Sequence, residues 1–301
     1  MKLPFRRRMR YAFETVIVYV VYSFFRLLSL DAASGLGGRI GRWVGPHLNS
    51  SAIARRNLAA VFPEKSTEEH EKILLGMWDN LGRVAAEYPH LHRIWDRVEM
   101  AGAEHVDAVR RSGKPSIFFA GHLANWEIPP IAAKKAGLDF NLVYRKPNNP
   151  GVDSLLRHAR NSGASGQIKK GAEGARAMIA VLRKNGLLGI MMDQKLNEGM
   201  AIPFFGRDAM TAPAIASFAL KFDCPVYPVR IERLPGGRFK MTILPPLDLV
   251  RSGDKELDTR NLLVEINRLF ESWIRARPEQ WLWIHRRWPD AQAWQSIRPP
   301  F

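Results

Sequence analysis

The sequence predicts an α/β protein, a mixed sheet flanked by helices behind an N-terminal hydrophobic membrane-anchor helix. Three observations lead there. Short apolar runs at Ser116–Ala120, Phe140–Tyr144 and Leu187–Met192 have strand length and alternate with helical stretches. Pro225–Ile231 and Phe239–Leu244 read as two more strands, joined as a hairpin through Pro235-Gly236-Gly237. A basic N-terminus runs straight into an apolar stretch. The 301 residues, 46% hydrophobic, suffice for one large domain with an N-terminal appendage. Residues 1–48 are the appendage and 49–301 the main domain.

Lys2, Arg6, Arg7, Arg8 and Arg10 precede Tyr11–Leu30, in which eleven residues between Glu14 and Arg26 carry no charge. A spanning helix needs about 20 predominantly apolar residues, so an anchor lying in or dipping into the bilayer is expected, with a tilted span in which Arg26 snorkels as the alternative. No small-x-small cleavage site follows, so the segment is retained. Leu36, Ile40 and Val44, with Gly37 and Gly41 beside them, predict a short helix packed closely on a neighbour. Arg55–Pro63 reads as a helix stopped by proline. A new helix is capped at Ser66 or Thr67, with Glu68 and Glu69 in its first turn, and a long helix continues through Asn80–Pro89.

The central stretch is Ser116–Pro130. Its apolar start suits a buried strand, and Gly121 permits a turn at the strand end. His122 and Glu127 follow, five residues apart. On a regular helix they would point about 140° apart, so they converge only if His122 sits on the turn and Glu127 in the first turn of the next helix. An imidazole held by a carboxylate is a general base, suited to a hydroxyl or an amine. Taken alone, the pair also suits a histidine bonded to backbone and a glutamate placed favourably at a helix N-terminus. Strand ends in open α/β sheets are where ligands bind.

Arg145–Pro150 is a turn cluster and Val152–Arg160 a helix. Arg145 and Arg160 offer the paired donors that suit phosphate or carboxylate, or are solvated charges. Ala172–Asn185 is a helix closed by Gly186, and the third strand ends in Asp193-Gln194. Asp193 reads as a group orienting an arginine or a substrate hydroxyl, or as a loop carboxylate. Thr211–Ala214 opens a helix, and Thr259–Arg275 is the last long one.

The net charge of +16 and pI near 10.3 imply an acidic partner. No Cys/His finger, basic-region heptad or aromatic RNA-binding pattern is present, which argues against nucleic acid. Nine tryptophans and the hydrophobic N-terminus point to a membrane with anionic lipids. The single cysteine, Cys224, allows no disulfide within the chain and reads as a small buried residue. Gly163–Gly166 lacks the Gly-x-Ser-x-Gly spacing of a nucleophile elbow. His122 and Glu127 supply only two metal ligands and no His-Glu-x2-His exists, so neither metal nor cofactor is expected.

The His-x4-Glu stretch resembles the motif of glycerolipid-type acyltransferases, and more closely that of the lipid A biosynthesis (lauroyl/myristoyl) acyltransferases. Further blocks carry the likeness: Asn57-Leu with Phe62-Pro-Glu, Tyr144-Arg with Asn148-Asn-Pro followed by Arg160, Asp193-Gln194, Phe204-Phe-Gly206 and Pro278-Glu-Gln-Trp with His285-Arg-Arg287. The resemblance implies a glycerolipid-acyltransferase-like fold, with 49–301 as the acyltransferase catalytic domain. It implies transfer of a fatty acyl chain from acyl carrier protein to a hydroxyl of a lipid A precursor. His122 would be the general base and Glu127 its orienting carboxylate, acting directly with no acyl-enzyme. Arg145, Arg160 and Asp193 would bind substrate. The phosphate-binding Pro-Glu-Gly-Thr-Arg-Ser motif of glycerolphosphate acyltransferases is absent, which argues against their acceptor. Other acceptors such as a phosphatidylinositol mannoside or an aminolipid, and a non-catalytic lipid-binding role, are the competing readings. The expected location is the bacterial inner membrane with the catalytic domain facing the cytoplasm, because the basic N-terminus favours that side and the donor is there.

Overall fold

A seven-stranded sheet organises the protein, which a computed structural model describes over residues 4–144, 147–160, 166–169 and 171–288. The strands are β1 (Val98–Ala101), β2 (Ser116–Ala120), β3 (Phe140–Tyr144), β4 (Gly166–Lys169), β5 (Leu187–Met191), β8 (Val226–Leu234) and β9 (Arg238–Ile243), with β6 (Met200–Phe204) and β7 (Arg207–Thr211) forming a separate ribbon. The order is β1-β9-β8-β2-β5-β3-β4. All neighbours are parallel except the β8/β9 hairpin, so the predicted mixed sheet is present. β2 is central and buried on both faces, which is why it reads as an unbroken apolar run. Its residues alternate between two cores. Ile117 and Phe119 join Leu188, Phe270, Trp281 and Trp283 on one side, and Phe118 and Ala120 join Ile128, Phe140 and Tyr227 on the other.

The helices are α1 (Phe5–Leu27), α2 (Leu30–Val44), α3 (Asn49–Val61), α4 (Thr67–Glu87), α5 (Leu91–Ile94), α6 (Ala103–Ser112), α7 (Ile128–Lys135), α8 (Pro150–Arg160), α9 (Ala172–Arg183), α10 (Ala214–Phe222) and α11 (Lys255–Ala276). Ser66 caps α4 in a reciprocal box with Glu69, as the sequence predicts. The Gly37/Gly41 face packs on α4 so closely that a Cβ at Gly41 would lie 2.1 Å from the Trp78 carbonyl oxygen. The last helix starts earlier than Thr259, because the Asp254 side chain accepts from the Glu256 and Leu257 amides. β1, β4, β6 and β7 were not anticipated. The β6/β7 ribbon turns on Phe205 and Gly206, both at positive φ, the geometry of a two-residue hairpin.

α1 is one helix of 23 residues. Phe13, Val16, Val20, Phe24 and Leu27 stand exposed on it, and Trp43 on α2 is 78% exposed. No helix among the described residues is long and apolar enough to cross a membrane. The other side of α1 docks on α8. Asn149 donates to the Tyr11 carbonyl (2.9 Å) and accepts from the Thr15 hydroxyl (3.0 Å), and Gly151 leaves room for Thr15.

Candidate active site

Strand register assembles the centre. β2 and β5 pair from Ser116↔Leu187 to Ala120↔Met191. Two residues past those ends stand His122 and Asp193, side by side at the carboxyl edge of the sheet. Asp193 Oδ1 lies 2.8 Å from His122 Nδ1, and its Oδ2 accepts from the His122 backbone amide (2.7 Å) and the Trp281 indole N–H (2.9 Å). Burial alone would favour the neutral acid. The neighbouring His122 and these hydrogen bonds outweigh it, and hold the Asp193 carboxyl well below the usual carboxylate range. Gly121 serves this approach, since a Cβ there would lie 2.7 Å from the Phe270 ring and 3.4 Å from the Asp193 carboxyl carbon.

An ionised Asp193 on Nδ1 fixes the proton there and leaves the Nε2 lone pair as the base. The His122 side chain is 16% exposed, so that nitrogen is within reach of a ligand. The Gln194 amide nitrogen lies 3.3 Å from His122 Nε2 and 3.0 Å from His285 Nε2. One NH2 group donating to both rings accounts for this arrangement. Trp126 packs edge-on against His122, with centroids 5.2 Å apart.

Glu127 does not orient His122. The residue immediately precedes α7, and its carboxylate turns to the other side of the turn. Arg160 donates to it through Nε (2.8 Å) and Nη2 (2.6 Å), and the Tyr88 hydroxyl donates at 2.5 Å. The pairing predicted between residues five apart therefore gives way to a pairing 71 residues apart, because Asp193 reaches His122 across the sheet while a bidentate guanidinium captures Glu127. Both partners are largely buried, with side-chain exposures of 17% for Arg160 and 2% for Glu127. Burial disfavours the charge on Arg160, but Glu127 and Tyr88 more than offset this and raise its pKa. Burial, then the adjacent carboxylate, pushes the Tyr88 phenol well above its ordinary value. Tyr88 is a site residue the sequence reading missed. Among the described residues, Nε and Nη2 of Arg160 carry hydrogen bonds to Glu127 and Tyr88.

Arg145 lies outside the described residues; β3, which leads to it, ends at Tyr144, paired with Lys169 on β4. The His285-Arg-Arg block closes the centre from the C-terminal side. Fully buried Arg287 binds the Met210 carbonyl, the Thr211 hydroxyl and Asn267, pinning β7 to α11, and burial pushes its pKa down to about 10. Cys224 is buried away from the centre, and burial pushes its thiol up to about 11, so it is not a ready nucleophile.

Comparisons with known proteins give the family. The family model for bacterial lipid A biosynthesis acyltransferases matches residues 2–290. A lipid A biosynthesis acyltransferase of Haemophilus influenzae is 26% identical, over 83% of this chain and 79% of its own length. The lipid A biosynthesis myristoyltransferase of Escherichia coli K12 is also 26% identical, over 82% of this chain and 77% of its own. Among solved structures, the 1-acyl-sn-glycerophosphate acyltransferase of Thermotoga maritima aligns over 78% of this chain and 98% of its own, with 17% identity and a TM-score of 0.38. With a family model running from the basic N-terminus through the His285-Arg-Arg block, the chain belongs to the bacterial lipid A biosynthesis acyltransferase family.

Proposed function

We propose that the protein transfers a fatty acyl chain from acyl carrier protein to a hydroxyl of a lipid A precursor, with His122 as general base and Asp193, not Glu127, as its orienting carboxylate. The observation that carries this reading is the 2.8 Å contact between Asp193 and His122 Nδ1, which keeps the proton on Nδ1 and leaves the Nε2 lone pair, here met by the Gln194 amide, to act as the base once a substrate hydroxyl takes that amide's place. Among the described residues no serine hydroxyl or cysteine thiol is hydrogen-bonded to His122, which supports direct transfer. His122 Nε2 takes the acceptor's hydroxyl proton as the oxygen attacks the thioester carbon. The tetrahedral intermediate then collapses with cleavage of the C–S bond, and His122 returns the proton to the departing thiolate. The apolar side chains of Phe118, Trp126, Pro129, Phe140 and Met191 line a crevice beside His122 of about 20 Å³, too small to hold an acyl chain as it stands. The Glu127–Arg160–Tyr88 cluster holds α8 against the His122 turn and presents Nη1 of Arg160 to an anionic substrate group.

Incubating the purified protein with acyl carrier protein thioester and a lipid A precursor should yield the singly more acylated lipid by mass spectrometry. The His122→Ala variant should yield none. A product formed equally well from acyl-coenzyme A would remove the carrier-protein assignment while leaving the chemistry.

The membrane role completes the proposal. α1 places apolar side chains outward, with Arg6, Arg7, Arg8 and Arg10 at its start, a composition suited to the anionic cytoplasmic leaflet of the inner membrane. Vesicles containing phosphatidylglycerol should sediment the protein, and neutral vesicles should do so far less. Replacing Phe13, Val20 and Phe24 with serine should abolish sedimentation without lowering the melting temperature, since these side chains touch little protein.

A further inference from the structure

The turn between His122 and Glu127 contains an unusual residue. Ala124 is fully buried and sits at φ 49°, in the left-handed region where an L side chain is strained. It is one of four non-glycine residues with positive φ among the described residues, and the one between the base and the anchoring carboxylate. Such a conformation persists only where the surroundings over-determine it.

Here they do. The Ala124 amide donates to the Gln280 carbonyl (3.0 Å), and its own carbonyl accepts from Asn80 Nδ2 (3.0 Å). The next residue, Asn125, donates to Glu87 (2.8 Å) and accepts from the Glu127 amide (3.1 Å). On the other side, the His122 carbonyl accepts from the Leu282 amide. The groups that grip the turn are themselves fixed by one arginine. Arg233 on β8 donates through Nε to Asn80 Oδ1 (2.8 Å) and through Nη1 and Nη2 to Glu87 (2.6 and 3.0 Å), while its backbone amide and carbonyl are both bonded to the Gln280 side chain. Ser34 donates to Glu87 from α2. Asn80, Glu87, Asn125 and Gln280 are all buried. Burial would raise the Glu87 pKa, but Arg233, Ser34 and Asn125 more than offset it and keep the carboxyl below its ordinary value.

We infer that Asn80, Glu87, Arg233 and Gln280 are positioning residues for the acyl-transfer centre: they clamp Ala124 in its left-handed conformation and so set His122 against Asp193 on one side and Glu127 against Arg160 on the other. None of them touches the base. This inference rests on the assignment of His122 as the base. Asn80 is the informative member, because its two side-chain atoms do different things: Oδ1 receives Arg233 and Nδ2 holds the Ala124 carbonyl.

The test is a rescue. Asn80→Ala should lower kcat for acyl transfer about tenfold or more, with KM for both substrates within about twofold, since the substrates' own contacts remain. Adding Ala124→Gly should then raise kcat by about threefold or more, because glycine adopts positive φ without being clamped. The same glycine should not raise kcat in the native background. Because glycine also relieves backbone strain at a positive-φ site and so can restore stability in general, kcat is taken per folded protein with melting temperatures measured in parallel, and only a gain in kcat at unchanged folded fraction counts as rescue. Asn80→Asp supplies the same reading if Asn80→Ala does not fold, because it keeps the acceptor for Arg233 while its second carboxylate oxygen cannot donate to the Ala124 and Gln280 carbonyls. Native kcat in the Asn80 variants, or failure of Ala124→Gly to restore any of the loss, overturns the inference. The His122→Ala variant separates the two levels. If it is inactive and the glycine does not rescue, the clamp alone is wrong; if it retains activity, the base assignment falls and takes the clamp with it.

Discussion

Asp193→Asn is expected to lower kcat by about three to four orders of magnitude while leaving a folded protein that still binds its substrates. The asparagine carbonyl can still accept from the His122 amide and the Trp281 indole. Its NH2 group would then face His122 Nδ1, where a donor now meets a donor. The ring relieves the conflict by moving its proton to Nε2, the atom that must be unprotonated to take the acceptor's proton. The loss is therefore one of tautomer rather than of shape. Single-turnover transfer measured from acyl carrier protein thioester, with KM compared in parallel, checks it. A kcat within tenfold of native would show that Asp193 merely holds the turn.

Glu127→Ala should act chiefly on stability. It leaves the Arg160 guanidinium, 17% exposed, without its carboxylate. Breaking a buried pair by removing one partner costs about 3–5 kcal/mol, which in a chain of this size corresponds to a melting temperature lower by about 5–8 °C. Combining Glu127→Ala with Arg160→Met should recover a good part of that loss, because the uncompensated charge is gone with its partner. If Arg160 meets an anionic substrate group as proposed, activity should not recover with it. Thermal melts of the two single variants and the double variant make the comparison. Additive losses would mean that the two side chains are not a unit.

These two carboxylates show what sequence reading reached and what it did not. His122, Glu127 and Asp193 were all legible as candidates because each follows or flanks an apolar run that had to be a strand. Their pairing was not legible. Five-residue spacing invites a local partnership, whereas His122 and Asp193, 71 positions apart, meet through the β2/β5 register. The signal existed in the equal two-residue overhang of both strands, and needed only the knowledge that the strands are neighbours. Tyr88 stayed hidden because a tyrosine before a proline at a helix end reads as punctuation. β1 and β4 stayed hidden because they are four residues long and mixed in polarity. Phe205-Gly206 was seen as part of a family block rather than as the turn it forms, since phenylalanine at positive φ is an uncommon choice. Gly121 was read as a turn residue, but the left-handed position belongs to Ala124 and Gly121 makes room for Phe270 and Asp193.

The grip of Gln280, Trp281 and Leu282 on the His122 turn bears on how the protein is made. The carbonyl that receives the Ala124 amide, the indole that steadies Asp193 and the amide that binds the His122 carbonyl all come from this short segment near the C-terminus. A bacterial ribosome adds roughly 5–20 residues per second, so this segment emerges roughly 10–30 s after His122. Throughout that interval the sheet can begin to pair, but Asp193 lacks the indole that steadies it and the strained turn lacks its support. The nascent chain is thus catalytically silent until synthesis has nearly finished. Even with every catalytic side chain present, a ribosome-stalled chain ending before Gln280 would carry an unfinished centre.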